Sequence, residues 1–452
     1  MTNEPPFGFG FGPADRDPDR EPGENSPFGF GGFPGLPGGM PGMPPGGFDV
    51  SQLGQMLTQL GQMLSQAQST GGGPVNYELA AGIAKQRLAA TTSSLTDAQR
   101  SAVRDAVRLA ELWLDPATTF PAGAKEVAAW SAAEWVTASL PTWQRLCDPV
   151  AQRVAGAWVE ALPEEVRAGA GPMLAMLGQM GGLAFGSQLG GALGQLAAEV
   201  LTSTDVGVPV GPGGTAALLP ENIERFTAGL DRPVSEVMIY IAAREAAHQR
   251  LFAHVGWLRE RLLGTVEEYA RGITVDTSRL EEMARGIDPS NPAGIEEAMR
   301  SGMFEQQTTP AQEAALARLE TLLALVEGWV DDVVREATRD RMPAANQLAE
   351  TVRRRRAAGG PAEQTFATLV GLDLRPRRLR DAANLWAAVR DARGIKGRDD
   401  LWEHPDLMPG TDDLDDPIGF ARDSGEPVDI DISELEDTIG KQDGEELDDS
   451  AK

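Results

Sequence analysis

The chain has 452 residues, 41% of them hydrophobic, enough for a sizeable core in one large domain or two ordinary ones. Its formal charge of −27 opposes nonspecific binding to nucleic acid or to an anionic membrane, since both are polyanions. A lone cysteine, Cys147, excludes an internal disulfide and a thiolate zinc site, and with no secretory signal readable after Met1 the expected compartment is the cytoplasm.

Residues 1 to 48 contain thirteen glycines and eleven prolines, half the segment, with phenylalanines such as Phe7, Phe9 and Phe28 set among them. Such a composition cannot bury a core and predicts disorder. A heptad pair follows, Leu53 to Leu57 and Leu60 to Leu64, which puts leucine and methionine on one stripe of a short amphipathic helix. Residues 1–74 are therefore expected to be a disordered Gly/Pro-rich head with one short helix, docking on the main domain or on a partner.

From Asn76 the pattern is helical. Thr96 and Gln99 have capping-box spacing, and Asp115-Pro116 supplies the stop. Further helices are predicted at 123–138, 142–162, 221–229, 233–270, 310–338, 343–357 and 376–393. Val206 to Val210 is the best strand candidate, and Pro209 demotes it. Ala168 to Ala198 carries no charge, but Pro172 and three glutamines interrupt it, and Gly178, Gly182, Gly186, Gly190 and Gly194 recur at every fourth residue. That spacing makes a smooth ridge for close backbone approach and predicts a buried central helix rather than a membrane span. The fold class is mainly α, a single large helical domain over 75–409. Residues 410–452 form an acidic tail expected to be disordered: from Thr411 onward sixteen acids face Arg422, Lys441 and Lys452, a net of −13.

The chemistry concentrates in Arg244-Glu245-Ala246-Ala247-His248, on the helix after Pro233. In H-E-x-x-H two histidines one turn apart hold zinc and the glutamate activates its water. Arg244 stands at the first histidine, and a guanidinium has no lone pair to offer a metal. Glu-x-x-His alone is a weak signal, for which an ordinary helix-surface pair is the simpler account.

That run, together with Leu219 to Ile223, Val326-Glu327-Gly328-Trp329-Val330-Asp331, Arg353 to Pro361 and Leu401 to Leu407, resembles an actinobacterial zincin-like family. The family is labelled a hydrolase or zinc-dependent metalloprotease, and a related branch is associated with biosynthesis of a deazaflavin coenzyme. The resemblance implies a zincin-like helical domain, zinc as cofactor and a peptide or protein substrate. It implies Glu245 as catalytic base, with His248 and Glu327 as metal ligands. Two positions depart from the family motif: Arg244 replaces the first histidine, and Trp329 replaces the histidine of a Glu-Gly-His sequence.

His254 is a possible extra ligand, six residues past His248, but on a continuing helix it points about 240° away. His404, in a Trp-Glu-His-Pro-Asp loop, reads as a packed or capping residue. Arg353 to Arg356 and Arg375 to Arg380 make either a phosphate patch or ion pairs with the chain's own acids. Three functions stay open: a zinc-dependent hydrolase, a degenerate member whose cleft binds a peptide or protein without cleaving it, and an assembly protein acting through its tails. In the second, Arg244 acts as a metal-replacing cation, its guanidinium taking the metal's place and gripping Glu327 in a bidentate contact.

Overall fold

The computed structural model describes residues 73–90, 93–160, 171–272, 309–357, 361–372 and 378–422. The glycine-rich head, the heptad helix at 53–64 and residues 423–452 of the expected tail lie outside the described residues, whereas its first part, 410–422, is described, with Leu414 and Ala421 buried.

The described chain is helical around one very short sheet. Helices α1 (Tyr77–Leu88) and α2 (Asp97–Leu114) come first, α2 opening on the expected Thr96–Gln99 capping box. Strand β1 (Glu126–Ala129) precedes two long helices, α3 (Ala132–Glu160) and α4 (Gly171–Ala197). Strand β2 (Thr215–Leu218) then pairs parallel with β1, Glu126 opposite Thr215. Next are α5 (Pro220–Thr227), α6 (Val234–His254) and α7 (Leu258–Arg271). The long α8 (Pro310–Thr338) starts on a second capping box, Thr309 with Gln312. Four helices close the chain: α9 (Ala345–Ala357), α10 (Pro361–Val370), α11 (Leu379–Asp400) and α12 (Pro417–Arg422).

Four expectations are corrected. The two helices at 123–138 and 142–162 are one strand followed by one helix, because α3 runs through Pro141 and Pro149 with Trp135, Trp143, Leu146 and Val150 fully buried along it. Burial of that face outweighs the backbone hydrogen bonds the prolines remove. The single helix at 233–270 breaks at Val255–Trp257 into α6 and α7. The helix at 376–393 extends to Asp400, its two halves joined at Gly394, whose φ of 73° is open to glycine. The strand candidate at 206–210 is a buried loop, and the strands lie in the alanine-rich Glu126–Ala129 and Thr215–Leu218.

The glycine ridge packs inside the domain. An added Cβ at Gly186 would lie 2.5 Å from the Asn76 carbonyl oxygen, and one at Gly190 would lie 2.6 Å from that of Ala80, so α1 lies directly on α4. Gly178, at the far end, meets nothing. No helix among the described residues is long and apolar enough to cross a membrane. Gly190→Ala is therefore expected to destabilise by about 1–3 kcal/mol, because backbone cannot yield to the new methyl. Gly191→Ala, into open space, should gain up to about 1 kcal/mol from helix propensity. Paired thermal melts measure the contrast.

Helix α6 is the axis of the fold. It packs against α2, α5, α8, α9 and β2, and every residue from Tyr240 to Leu251 is buried. Five of these are polar or charged: Arg244, Glu245, His248, Gln249 and Arg250. A helix buried on all sides can carry such groups only if each finds partners.

Candidate functional site

Helix α6 and the middle of α8 lie side by side and bring Arg244, His248 and Glu327 together. Arg244 and His248 are one turn apart and share a face. Arg244 Nη2 donates to Glu327 Oε2 at 2.6 Å, and its Nη1 lies 3.6 Å from Asp331 Oδ1. The fork is thus split between two carboxylates one turn apart on α8, which corrects the bidentate contact expected with Glu327 alone. His248 Nδ1 donates to the Arg244 carbonyl at 2.8 Å, and Nε2 lies 3.0 Å from Glu327 Oε1. That second contact engages the nitrogen a metal would need.

A second guanidinium enters from α9. Arg356 Nη1 pairs with Glu327 Oε1, and its Nη2 donates to the Asp205 carbonyl oxygen at 3.3 Å. Arg355 pairs with the Asp205 carboxylate at 2.9 Å. Burial opposes ionisation of Glu327, but Arg356, His248 and Arg244 together outweigh it and hold the carboxyl far below its usual range. Burial likewise opposes ionisation of Asp205, and Arg355, Arg356 and the Leu201 N–H overcome it. Tyr240, one turn before Arg244, is pushed up to about 12 by burial, against the pull of the Arg244 charge.

Glu245 looks elsewhere. Its Oε1 accepts from Ser203 Oγ at 2.5 Å and Gln249 Nε2 at 2.9 Å, and its Oε2 accepts from Thr204 Oγ1 at 2.6 Å. The carboxylate is tied to the loop that follows α4. Between that loop, α6 and α9 is a cavity of about 10 Å³, room for about one water, with Thr204, Glu245, His248 and Arg356 on its walls.

His254 is the last residue of α6. It stacks on Phe120 and places Nε2 3.1 Å from the Pro121 carbonyl, outside the cluster around Glu327. His404 caps the turn after it, accepting from the Asp406 N–H at 3.2 Å. Trp329 is two residues, roughly 200°, around α8 from Glu327. Its indole donates to Asp399 at 3.0 Å, and Arg398 lies over its ring. A histidine at 329 on this backbone would face Asp399 rather than His248. Asp331 is the acid that shares the face of Glu327.

Among the described residues the arginines of the two runs pair with the chain's own acids, and Arg375 and Arg377 lie outside those residues. Arg353 faces Asp331 and Glu350, Arg354 pairs with Glu350, and Arg378 pairs with Asp381 and Asp415. Trp386 is buried, donating to the Leu325 carbonyl and stacked on Trp402, so it offers no face to a base.

The family model for zincin-like metallopeptidases matches residues 75–421. The chain belongs to that family. A solved structure with the same fold is that of a "putative hydrolase with a novel fold" from Chloroflexus aurantiacus, at 20% sequence identity. The match covers 77% of this chain and 97% of the other, with a TM-score of 0.56. No curated protein is detectably similar.

A zincin-like family implies zinc as a possible cofactor, but the donor set of this protein does not fit it. A zincin site needs three protein ligands converging on one point. Here His248 and Glu327 converge, and the third position is Arg244. Both Glu327 oxygens are engaged by guanidinium groups, and among the described residues no group of three His, Cys, Asp or Glu side chains could hold a metal. Arg356 and Asp331 escaped sequence reasoning as members of this cluster. Only the four-residue repeat Glu327 to Asp331 on one helix was a readable signal for Asp331.

Proposed function

We propose that this zincin-like protein does not hydrolyse peptide bonds and instead binds a peptide or protein. Arg244 takes the structural place that zinc holds in catalytic members. The carrying observation is the 2.6 Å contact between Arg244 and Glu327, both buried, on the two helices that would share a metal. A cation fixed there neutralises Glu327 and joins α6 to α8, as the metal would, but it cannot polarise a carbonyl or lower the pKa of a bound water.

The surroundings of Glu245 support the same reading. A general base must be aimed at the attacking water, whereas the Glu245 carboxylate commits three of its roughly four acceptor sites to Ser203, Thr204 and Gln249. Arg244 and Trp329, standing where the actinobacterial sequences it resembles carry histidines, support reading the chain as a degenerate member. Its acidity favours protein over nucleic acid or membrane as partner, and its single thiol fits the cytoplasm.

Metal analysis tests the reading. The chain purified without added metal is expected to hold far less than one zinc per molecule, and a near-stoichiometric content would overturn the proposal. Arg244→His recreates H-E-x-x-H and places two imidazoles beside Glu327. Zinc binding measured by competition with a chelator should become at least about tenfold tighter than in the wild type.

A further inference from the structure

We propose that α9 is a strap, fastened by Arg355 and Arg356, whose release opens the cavity lined by Arg244, Glu245 and His248. A space with room for one water admits a peptide only when a wall moves, and α9 contributes the wall formed by Val352 and Arg356. The purpose of the strap rests on the binding reading above; its mechanics rest on ion pairs alone.

Helix α9 is held differently from its neighbours. Of its thirteen residues, Leu348 and Val352 are the only large apolar side chains, whereas α6 and α8 bury apolar residues along most of their length. The grip of α9 on the loop after α4 is ionic. Arg355 reaches the Asp205 carboxylate at 2.9 Å and the Glu199 carbonyl at 2.6 Å, while Arg356 bridges Asp205 and Glu327. These arginines occupy the last turn, where the helix dipole favours positive charge. The Nε atoms of Arg353 and Arg356 are buried with no hydrogen-bond partner among the described protein atoms, so the fastening rests on the terminal nitrogens.

Such an element should open as a unit, below the free energy of global unfolding. Backbone hydrogen exchange of the full chain, read by mass spectrometry, tests this in Arg355→Gln and Asp205→Asn. Residues 345–357 are expected to exchange about tenfold faster in both variants, with α6 and α8 unchanged. Unchanged exchange of α9 in Arg355→Gln would overturn the proposal. So would acceleration spread evenly through α6 and α8, because the pair would then hold the whole domain rather than a strap. Zinc content reports on the binding reading separately, and no outcome of the exchange experiment alters it.

Discussion

Glu327→Gln is expected to lower the free energy of unfolding by about 5 kcal/mol, the upper end of what breaking a buried ion pair costs. The amide preserves the volume of the side chain but removes the only charge that Arg244, Arg356 and His248 share. Two guanidinium groups would then stay buried against each other, with Asp331 and Asp205 only partly offsetting them. Arg244→Ala should do less, about 3 kcal/mol, because Glu327 would keep Arg356 and His248. Urea unfolding followed by far-UV circular dichroism gives both values, read as shifts in midpoint at constant slope.

The same substitution has a signature in pH. The carboxyl of Glu327 is depressed in the folded state, so its contribution is fully present above the unfolded value of about 4.3 and is lost as pH falls through the folded one. The gap between wild type and Glu327→Gln should be constant from neutral pH down to about 5 and narrow below about 4.3. A gap that does not change down to pH 3 would show that the charge of Glu327 is not what stabilises the wild type.

Arg398→Ala is expected to cost about 3–5 kcal/mol for a related reason at a different place. Arg398 is fully buried and donates to Asp332, Asp399 and the Ala117 carbonyl, so it ties α11 to α8 and to the chain after α2. Without it Asp399 keeps neutral donors, Thr118, Thr119 and Trp329, but loses its cation. Trp329 would lose the guanidinium over its ring. Arg354→Ala is the control. Arg354 is exposed and meets only Glu350 one turn away, so its midpoint should match the wild type within error.

The sequence by itself determined the fold class and much of the helix inventory, because both follow from local signals. Thr96 and Gln99 cap α2, Thr309 opens α8 at the expected residue, and the glycines of α4 mark the groove that receives α1. Each of these signals lies within a few residues of the structure it specifies. The strands were illegible because Glu-Val-Ala-Ala and Thr-Ala-Ala-Leu have no strand character of their own and pair across the whole of α3 and α4. The run through Pro141 was illegible for the converse reason, a local stop signal overridden by distant packing.

The candidate site divides the same way. Helical spacing alone put Arg244, Glu245 and His248 within one turn, and a guanidinium in the first ligand position was enough to mark the metal motif as incomplete. Only the tertiary structure decided how the charges are shared. It turned Glu245 to Ser203 and Thr204, gave Glu327 to Arg244, His248 and Arg356, and brought Arg356, on a helix more than a hundred residues beyond Arg244, into the same cluster. Periodicity states which side chains share a face of one helix. A buried charge takes its partner from whichever neighbouring element packing presents to it, and that choice is fixed by contacts remote in sequence.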